Sequence, residues 1–448
     1  MNQFEQYKRL IKLGFALILV ALLTGLYGVI WINWYNKIIW APFFRRGNWM
    51  MIFIYGLLLI FFMQLYGGFK IALLKRGNLI YSQILAVVFT NIITYFQISV
   101  QDKKFTAPAP LVVNLIGAVI IILAWTMTFL WLYRGMFPPR ELLLISGDHS
   151  DYNLNEKMNA REDKYIISQI VSYHEGPERI KAEIAKYDSV IVGDIPAHER
   201  NYIIKYCFGQ NIRTYSVPKI SDILLRSSVE LNLFDSPLLL SRNNQGLQIE
   251  QEIMKRIIDI VGSLIGIVIT IPIFLIVGIC IKMTDGGPVI YQQTRLTKNG
   301  KKFQIYKFRT MVQNAEADGK ARLASEGDPR ILPIGRVLRA TRLDELPQIY
   351  NILKGDMSIV GPRPERPELA AELEKEIPEF SFRLQVKAGL TGYAQVYGKY
   401  NTTPYDKLKL DLTYIRNYSV LEDLKLIIMT PKIMLMKEST EGVKEEQK

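Results

Sequence analysis

Four apolar stretches, at roughly 13–33, 49–66, 79–100 and 112–133, open the chain and constrain it most. Each is near the ~20 residues that a helix needs to cross ~30 Å of hydrocarbon. They predict a four-helix transmembrane region over residues 1–138. Ser82, Gln83, Asn91 and Gln97 interrupt the third stretch and weaken it. Trp31, Trp34, Trp40 and Trp49 cluster where the first two helices would meet one interface, as aromatic belts do. Basic residues before helix one (Lys8, Arg9, Lys12), between helices two and three (Lys70, Lys75, Arg76) and after helix four (Arg134, Arg140) favour a cytoplasmic N-terminus. Lys37, Arg45 and Arg46 on the other side make that bias slight. An even helix count returns residue 140 onward to the cytoplasm. The first apolar run lacks a small-residue cleavage site after it, so a removable signal peptide is not expected.

At 448 residues the chain exceeds one ordinary domain. Its net charge of +13 sits beside 49% hydrophobic residues. That combination favours an anionic membrane surface and anionic substrates over nucleic acid. Cys207 and Cys280 lie in dissimilar surroundings, which implies a reduced compartment and no structural disulfide.

Residues 139–240 change pattern. Glu141–Ser146, Lys164–Ile170, Ser189–Gly193 and Ile212–Val217 read as short strands, with helices at 177–187 and 198–208. Alternating strands and helices predict a small Rossmann-like parallel α/β module. The turn Gly147-Asp148-His149-Ser150 has one glycine where a dinucleotide fingerprint needs three, so a structural or regulatory role is favoured over cofactor binding. His149, His174 and His198 show no metal-ligand spacing and read as surface or loop residues.

A linker at 241–251 leads to an apolar run from Ile260 to Ile281, interrupted by Pro272. Its length suffices for a crossing. Against that, Lys255 and Arg256 precede it, Lys282 follows it, and Pro272 removes a backbone donor at its centre. A hairpin over 256–282, bent at Pro272, would enter and leave by one face. Asn299-Gly300 then joins Val289–Thr297 to Lys301–Phe308 as a β-hairpin. A polar segment at 312–330 follows. Glu368–Glu379 and Asp406–Tyr418 read as helices, and Gly389–Gly398 as a loop. Leu421–Met436 suits a membrane-surface helix and a core helix equally, and 441–448 forms a polar tail.

The chemistry concentrates between Leu343 and Pro364, LDELPQIYNILKGDMSIVGPRP. No histidine follows residue 250, and Cys280 lies in the apolar run, which excludes Cys–His and Ser–His–Asp catalysis within that domain alone; if it does covalent chemistry, a carboxylate is the natural nucleophile. Asp344 and Glu345 are adjacent, and neighbouring carboxylates can share a hard cation such as Mg²⁺ with substrate phosphates. The plainer reading is two solvated charges at a helix start. Arg339, Arg342 and Arg363 flank the pair with forked donors that suit phosphate oxygens. Lys307 and Arg309 either join them or form a basic face toward anionic lipid.

KFRTM (307–311), LDELPQ (343–348), GDMSIVGPRP (355–364) and GLTGYAQV (389–396) together resemble the bacterial sugar transferase family, the monotopic phosphoglycosyl transferases that act on polyprenyl phosphate. The resemblance covers about 252–440. The front half is similar in architecture to the long-form members that start capsular or exopolysaccharide units. The resemblance implies an α+β catalytic domain with a re-entrant membrane helix. It also implies transfer of a hexose-1-phosphate, glucose or galactose foremost, from a UDP-sugar to undecaprenyl phosphate, with UMP released. Asp344 would be the nucleophile of a covalent phosphosugar intermediate, with Glu345 supporting it and Mg²⁺. Lys307 and Arg339 match positions near the phosphates, and Pro362 and Arg363 match the loop associated with the nucleotide. The hairpin around Pro272 matches the family's re-entrant helix, although Ile271 stands where members often have serine. The expected setting is the bacterial inner membrane, with the catalytic domain facing the cytoplasm. Other polysaccharide-assembly proteins are expected partners, and the front half is a candidate homodimer surface. The competing readings are an inactive membrane scaffold or regulator, and a polytopic transferase whose 260–281 run crosses the bilayer.

Overall fold

The computed structural model describes residues 5–147, 151–159, 161–233, 236–241, 246–313, 328–398 and 402–434. His149 with most of its turn, most of the 241–246 stretch, residues 314–327 and the 441–448 tail lie outside them. The chain divides into two compact units, Met1–Pro218 and Lys219–Lys448.

In the first unit the apolar stretches form helices α1 (Lys8–Ile30), α2 (Arg45–Tyr66), α3 (Arg76–Gln101) and α4 (Ala109–Met136). Helix α1 packs on α2 and α4, and α3 packs on the same two. With the later Ile249–Asp285, five helices among the described residues are long and apolar enough to cross a membrane. The polar residues that weaken α3 in sequence face inward: Ser82, Gln83 and Asn91 are buried. Tyr55 donates to Asn91 Oδ1 at 3.0 Å, and Asn114 donates to both Tyr55 (2.9 Å) and Asn91 (3.0 Å). Thr126 donates to Gln83, which donates to the Gly68 carbonyl. Polar groups in an apolar bundle persist when they pair across helices. The tryptophans separate: Trp34, Trp40 and Trp49 are exposed, whereas Trp31 is buried and donates to Asn48 at 2.8 Å.

Strands β1 (Arg140–Ser146), β2 (Tyr165–Ser172), β3 (Ser189–Val192) and β4 (Arg213–Ser216) form an all-parallel sheet in the order β2-β1-β3-β4. The unbroken apolar run in β1 follows from burial on both faces. Leu143 and Ile145 pack with Ile180, Ile184, Ile203 and Cys207 from helices Pro177–Ile184 and Ala197–Gly209. Leu142 and Leu144 pack on the opposite side with Leu154 and Met158.

The second unit begins with Ile220–Arg226, whose Ile220 and Ile223 join a core with Phe380, Leu408 and Leu412. An antiparallel ribbon follows, Val229–Leu233 with Ser236–Leu240. Ile249–Asp285 is one helix of 37 residues, and its backbone stays helical through Pro272. Any bend at Pro272 is therefore a kink within one helix, not a turn between two. One face of this helix packs on its own unit. Gly262 lies against Ile359, Gly266 against Ile349, and Val277 and Ile281 against Phe308 and Leu338. The other face exposes Val261, Leu264, Val268, Leu275, Ile279 and Met283.

The basic residues ahead of the apolar run lie within the first turns of this helix and are structural. Lys255 is buried, 2.6 Å from Asp423 and 3.0 Å from the Tyr414 hydroxyl, and Arg256 donates to the carbonyls of Ile352 and Leu353. Burial pushes the Asp423 carboxyl up, and the Lys255 ammonium opposes it. Lys255→Met strands that carboxylate and should cost about 3–5 kcal/mol. Thermal unfolding in detergent checks this, with Asp423→Asn added as the second arm of a double-mutant cycle. An unchanged Tm for Lys255→Met would show that the pair does not stabilise the fold.

The remaining expectations resolve as follows. Ile290–Leu296 and Lys302–Phe308 form the hairpin, and both Asn299 (φ 58°) and Gly300 (φ 71°) adopt the left-handed conformation of its turn. Helices occupy Pro367–Glu376, Pro404–Arg416 and Val420–Met434. Leu426 and Met429 of the last are buried in the core, which decides its role as a packed helix. Gly389–Gly398 is not a loop: Gly389–Thr391 is a strand parallel to Ser358–Val360, and Tyr393–Tyr397 is a short helix. Local sequence hides that strand because all of its partners are distant.

Candidate active site

Three segments converge on Glu345. Strand Lys302–Phe308 turns Phe303, Ile305 and Lys307 to one face, the first two into the core. Lys307 Nζ donates to Glu345 Oε1 at 2.7 Å, and Arg363 Nη2 donates to the same oxygen at 2.7 Å. The dyad itself sits on a single 3-10 turn, Leu343–Glu345. Helix Pro333–Thr341 ends just before it at Arg342, which takes the left-handed conformation (φ 55°) and redirects the chain. A non-glycine residue pays for that conformation, and the packing on both sides enforces it. The helix reaches the strand's end at Gly335, where a Cβ would lie 2.2 Å from the Thr310 carbonyl oxygen. Asn351, fully buried, accepts from Tyr306 N (3.0 Å) and donates to the Gln304 carbonyl (2.7 Å). It thereby clips the segment after the dyad to the strand that carries Lys307.

The two carboxylates are electrostatically distinct. Burial alone would raise Glu345, but Arg363 and Lys307 overcome it and hold Glu345 well below the usual carboxylate range. Arg363 is raised in turn, chiefly by Glu345. Asp344 is pushed up, first by burial and then by the Glu345 charge, with Lys307, Arg339 and Arg363 opposing. Its carboxylate makes no hydrogen bond or ion pair among the described residues. Adjacent carboxylates driven apart in this way divide their roles.

Arg339 is near the dyad and donates through Nε to Thr310 Oγ1 at 2.9 Å. Arg342 is half-buried; burial and Arg363 weigh against its charge, while Glu345 and Asp344 support it. Arg309 is elsewhere. Its guanidinium forks onto Asp285 and its Nε donates to the Pro288 carbonyl at 2.7 Å, which pins the end of the long helix. An Arg two residues beyond Lys307 looks equivalent in sequence, but the strand has ended by then and the chain turns away. Pro272 lies mid-helix and contributes no polar group.

The Pro362-Arg363-Pro364 loop is held through its carbonyls, since proline has no N–H to donate. Pro362 O accepts from Gly389 N at 2.8 Å, Arg363 O from Arg383 Nη2 at 3.0 Å, and Pro364 O from Arg295 Nη1 at 3.2 Å. Arg383 is itself buried, 2.7 Å from Asp411 Oδ2 and 3.4 Å from Glu365 Oε1. Burial raises Asp411 to about 6, with Arg383 opposing. A cavity of about 300 Å³ borders this loop, lined by Pro362, Arg363, Phe380, Arg383 and Val386 among others. Neither Arg295 nor Arg383 stands out in sequence, because each acts on a backbone tens of positions away.

Both hydrogen bonds to Glu345 fall on Oε1, so its Oε2 and the Asp344 carboxylate are the hard oxygens on offer. That set fits Mg²⁺, which takes one or two carboxylates and fills its shell with water and substrate phosphates. Among the described residues no group of three or more His, Cys, Asp or Glu gathers for a metal held by protein alone.

A family model described as "Bacterial sugar transferase" matches residues 250–437. A UDP-N-acetylgalactosamine-undecaprenyl-phosphate N-acetylgalactosaminephosphotransferase of Aeromonas hydrophila is 35% identical over 259 residues, 56% of this chain and 59% of the relative. An undecaprenyl-phosphate galactose phosphotransferase of Salmonella typhimurium is 36% identical over 239 residues, 50% of this chain and 49% of the relative. A UDP-glucose:undecaprenyl-phosphate glucose-1-phosphate transferase of Caulobacter vibrioides is 37% identical over 189 residues, 41% of this chain and 70% of the relative. The chain spans about half the length of several curated relatives it matches. With the dyad, its cationic clamp and the carbonyl-held loop all inside the matched region, the chain belongs to the bacterial sugar transferase family.

Proposed function

We propose that this protein transfers a hexose-1-phosphate from a UDP-sugar to undecaprenyl phosphate and releases UMP, the opening membrane step of a surface polysaccharide. The observation that carries the reading is the division within the dyad: Glu345 gripped by Lys307 and Arg363, Asp344 beside it with an unbonded carboxylate. A raised proton affinity also makes a carboxylate the stronger nucleophile. An Asp344 oxygen bonds to the β-phosphorus, and the bond from that phosphorus to the bridging oxygen breaks. UMP departs with the electron pair. An oxygen of undecaprenyl phosphate then attacks the phosphorus of the aspartyl phosphosugar, and Asp344 leaves as a free carboxylate. Arg339, Arg342 and Arg363 offset phosphate charge, without which an anionic nucleophile could not approach. Mg²⁺ held by Asp344 and Glu345 would add to that charge neutralisation.

The long helix supports a monotopic arrangement. One of its faces is covered by its own unit from Gly262 to Ile281, while the other is apolar and exposed. Both ends of the helix pair with polar groups of that same unit, Lys255 with Asp423 and Asp285 with Arg309, so we read it as lying within one leaflet, with both ends on one side. A soluble nucleotide sugar places that side in the cytoplasm of a bacterial inner membrane. The relatives named above act on N-acetylgalactosamine, galactose and glucose donors, so the donor class is a UDP-hexose.

The test is UMP release by the purified chain across a panel of UDP-sugars. Release is expected with at least one, and it should require both undecaprenyl phosphate and Mg²⁺. No release with any donor would remove the proposal, and release that persists in EDTA would remove the metal from it.

A further inference from the structure

A second concentration of charge lies in the first unit, far in sequence from the dyad. Glu5 is the shared partner of three cations: Lys8 at 3.6 Å, Arg213 at 3.8 Å, and Arg140, which hydrogen-bonds to it. Lys8 and Lys12 stand over one ring, that of Tyr133, at 5.9 and 5.4 Å from its centroid, and Lys8 also lies 4.8 Å from Phe137. The Lys164 carbonyl accepts from Arg140 N at 3.0 Å, and its ammonium lies over Tyr165 at 4.6 Å. Lys8, Arg140 and Arg213 thus share one carboxylate, and Lys12 and Lys164 stand beside them. Asp163, the next carboxylate along, is taken by Arg161 in a two-bond fork. Neither Lys12 nor Lys164 has an acidic hydrogen-bond or ion-pair partner among the described residues.

The side chains are not free in water. Those of Lys8 and Arg140 keep only about a quarter of their exposure, and Lys12 and Lys164 are half-buried. Like charges at such sites repel more strongly than in bulk water, and nearby aromatic faces offset only part of that. A counter-anion is the missing term. The position indicates where it comes from. Helix α1 begins at Lys8 and α4 ends at Met136, so the cluster marks the plane where apolar helices stop. Strands β1, β2 and β4 all start here, at Arg140, Tyr165 and Arg213. This is the N-terminal edge of the parallel sheet, opposite the edge at which α/β sheets hold their usual ligands. Tyr133 and Phe137 lie at the depth of an aromatic belt.

We propose that Lys8, Lys12, Arg140, Lys164 and Arg213 form a binding site for an anionic phosphate group, carried by a phospholipid headgroup or by a soluble phosphate. The site is independent of the transferase chemistry and stands or falls without it.

The experiment uses the full chain in a neutral detergent and follows thermal unfolding with added phosphatidylglycerol, phosphatidylcholine or inorganic phosphate. The variants are Lys12→Gln/Lys164→Gln and the charge-keeping Lys12→Arg/Lys164→Arg. Phosphatidylglycerol should raise the Tm of wild type and of the Arg pair, and phosphatidylcholine should not. The Gln pair should bind phosphatidylglycerol roughly thirtyfold more weakly. Without added anion the Gln pair should melt no lower than wild type, because it relieves repulsion. A matching response to inorganic phosphate assigns the site to soluble phosphates; a response to the lipid alone assigns it to headgroups. If neither anion distinguishes wild type from the Gln pair, or if the Gln pair melts well below wild type without anion, the proposal is overturned.

Discussion

Asp344→Asn should reduce UMP release by roughly a thousandfold or more while raising the Tm. The two effects share a cause. Asp344 has a carboxyl pushed up by burial and by Glu345, so the folded state disfavours its ionised form. Above the unfolded carboxylate pKa of about 3.9 that ionisation costs stability, and an amide removes the cost. The gain in Tm should be present at neutral pH and vanish in acid, where both forms are neutral. Glu345→Gln should behave in the opposite way. Its carboxylate is held low by Arg363 and Lys307, so it stabilises the fold at neutral pH and down through the ordinary carboxylate range. Losing it should cost roughly 2–3 kcal/mol, less than a fully buried pair would because Arg363 is half exposed. Opposite Tm shifts from adjacent residues, measured by thermal scans at pH 7, separate the nucleophile from its support. Full turnover in Asp344→Asn would remove Asp344 from the chemistry.

Arg383→Ala is the second large effect. It leaves Asp411 and Glu365 without their cation and frees the Arg363 carbonyl. Uncompensated buried charge costs about 3–5 kcal/mol. Arg383→Lys keeps the charge, but a single ammonium lacks the guanidinium fork that serves two carboxylates and a carbonyl. That variant should fold and lose kcat/KM at the donor while keeping KM for undecaprenyl phosphate. Asp411 adds a pH signature. Its folded pKa of about 6 lies above the unfolded value, so the fold as a whole gains stability on protonation below pH 6, but the charge that positions Arg383 under the loop is lost. Donor kcat/KM should therefore fall as pH drops through about 6, and Asp411→Asn should flatten that limb. An Arg383→Lys enzyme with unaltered donor kinetics would show that the loop needs no support from beneath.

Much of this was legible in the chain. The apolar helices, the parallel α/β module and the hairpin at Asn299-Gly300 follow from local composition and turn chemistry, which act over a few residues, whereas the strand order β2-β1-β3-β4 does not. The family motifs pointed to Asp344, Glu345, Lys307 and Arg363, and the fold gathers all four. Arg309 belonged to the same motif but serves the long helix instead. Lys255 and Arg256 resembled topology signals and are a buried pair and a helix cap. A cation's partner is chosen by the fold, so its role is not readable from its neighbours in sequence.

By itself, then, the sequence determined where apolar helices and a parallel α/β module could form, and that Asp344 and Glu345 stand in a motif flanked by cations. Only the tertiary structure decided that Lys307 and Arg363 both reach Glu345 while the Asp344 carboxylate stays unbonded among the described residues, and that three carbonyls hold the Arg363 loop from below. The physical reason is range. Helical periodicity and turn preference are written within a few positions, whereas Arg295, Arg383 and Arg363 bond across 18 to 69 residues and meet only when distant strands have packed.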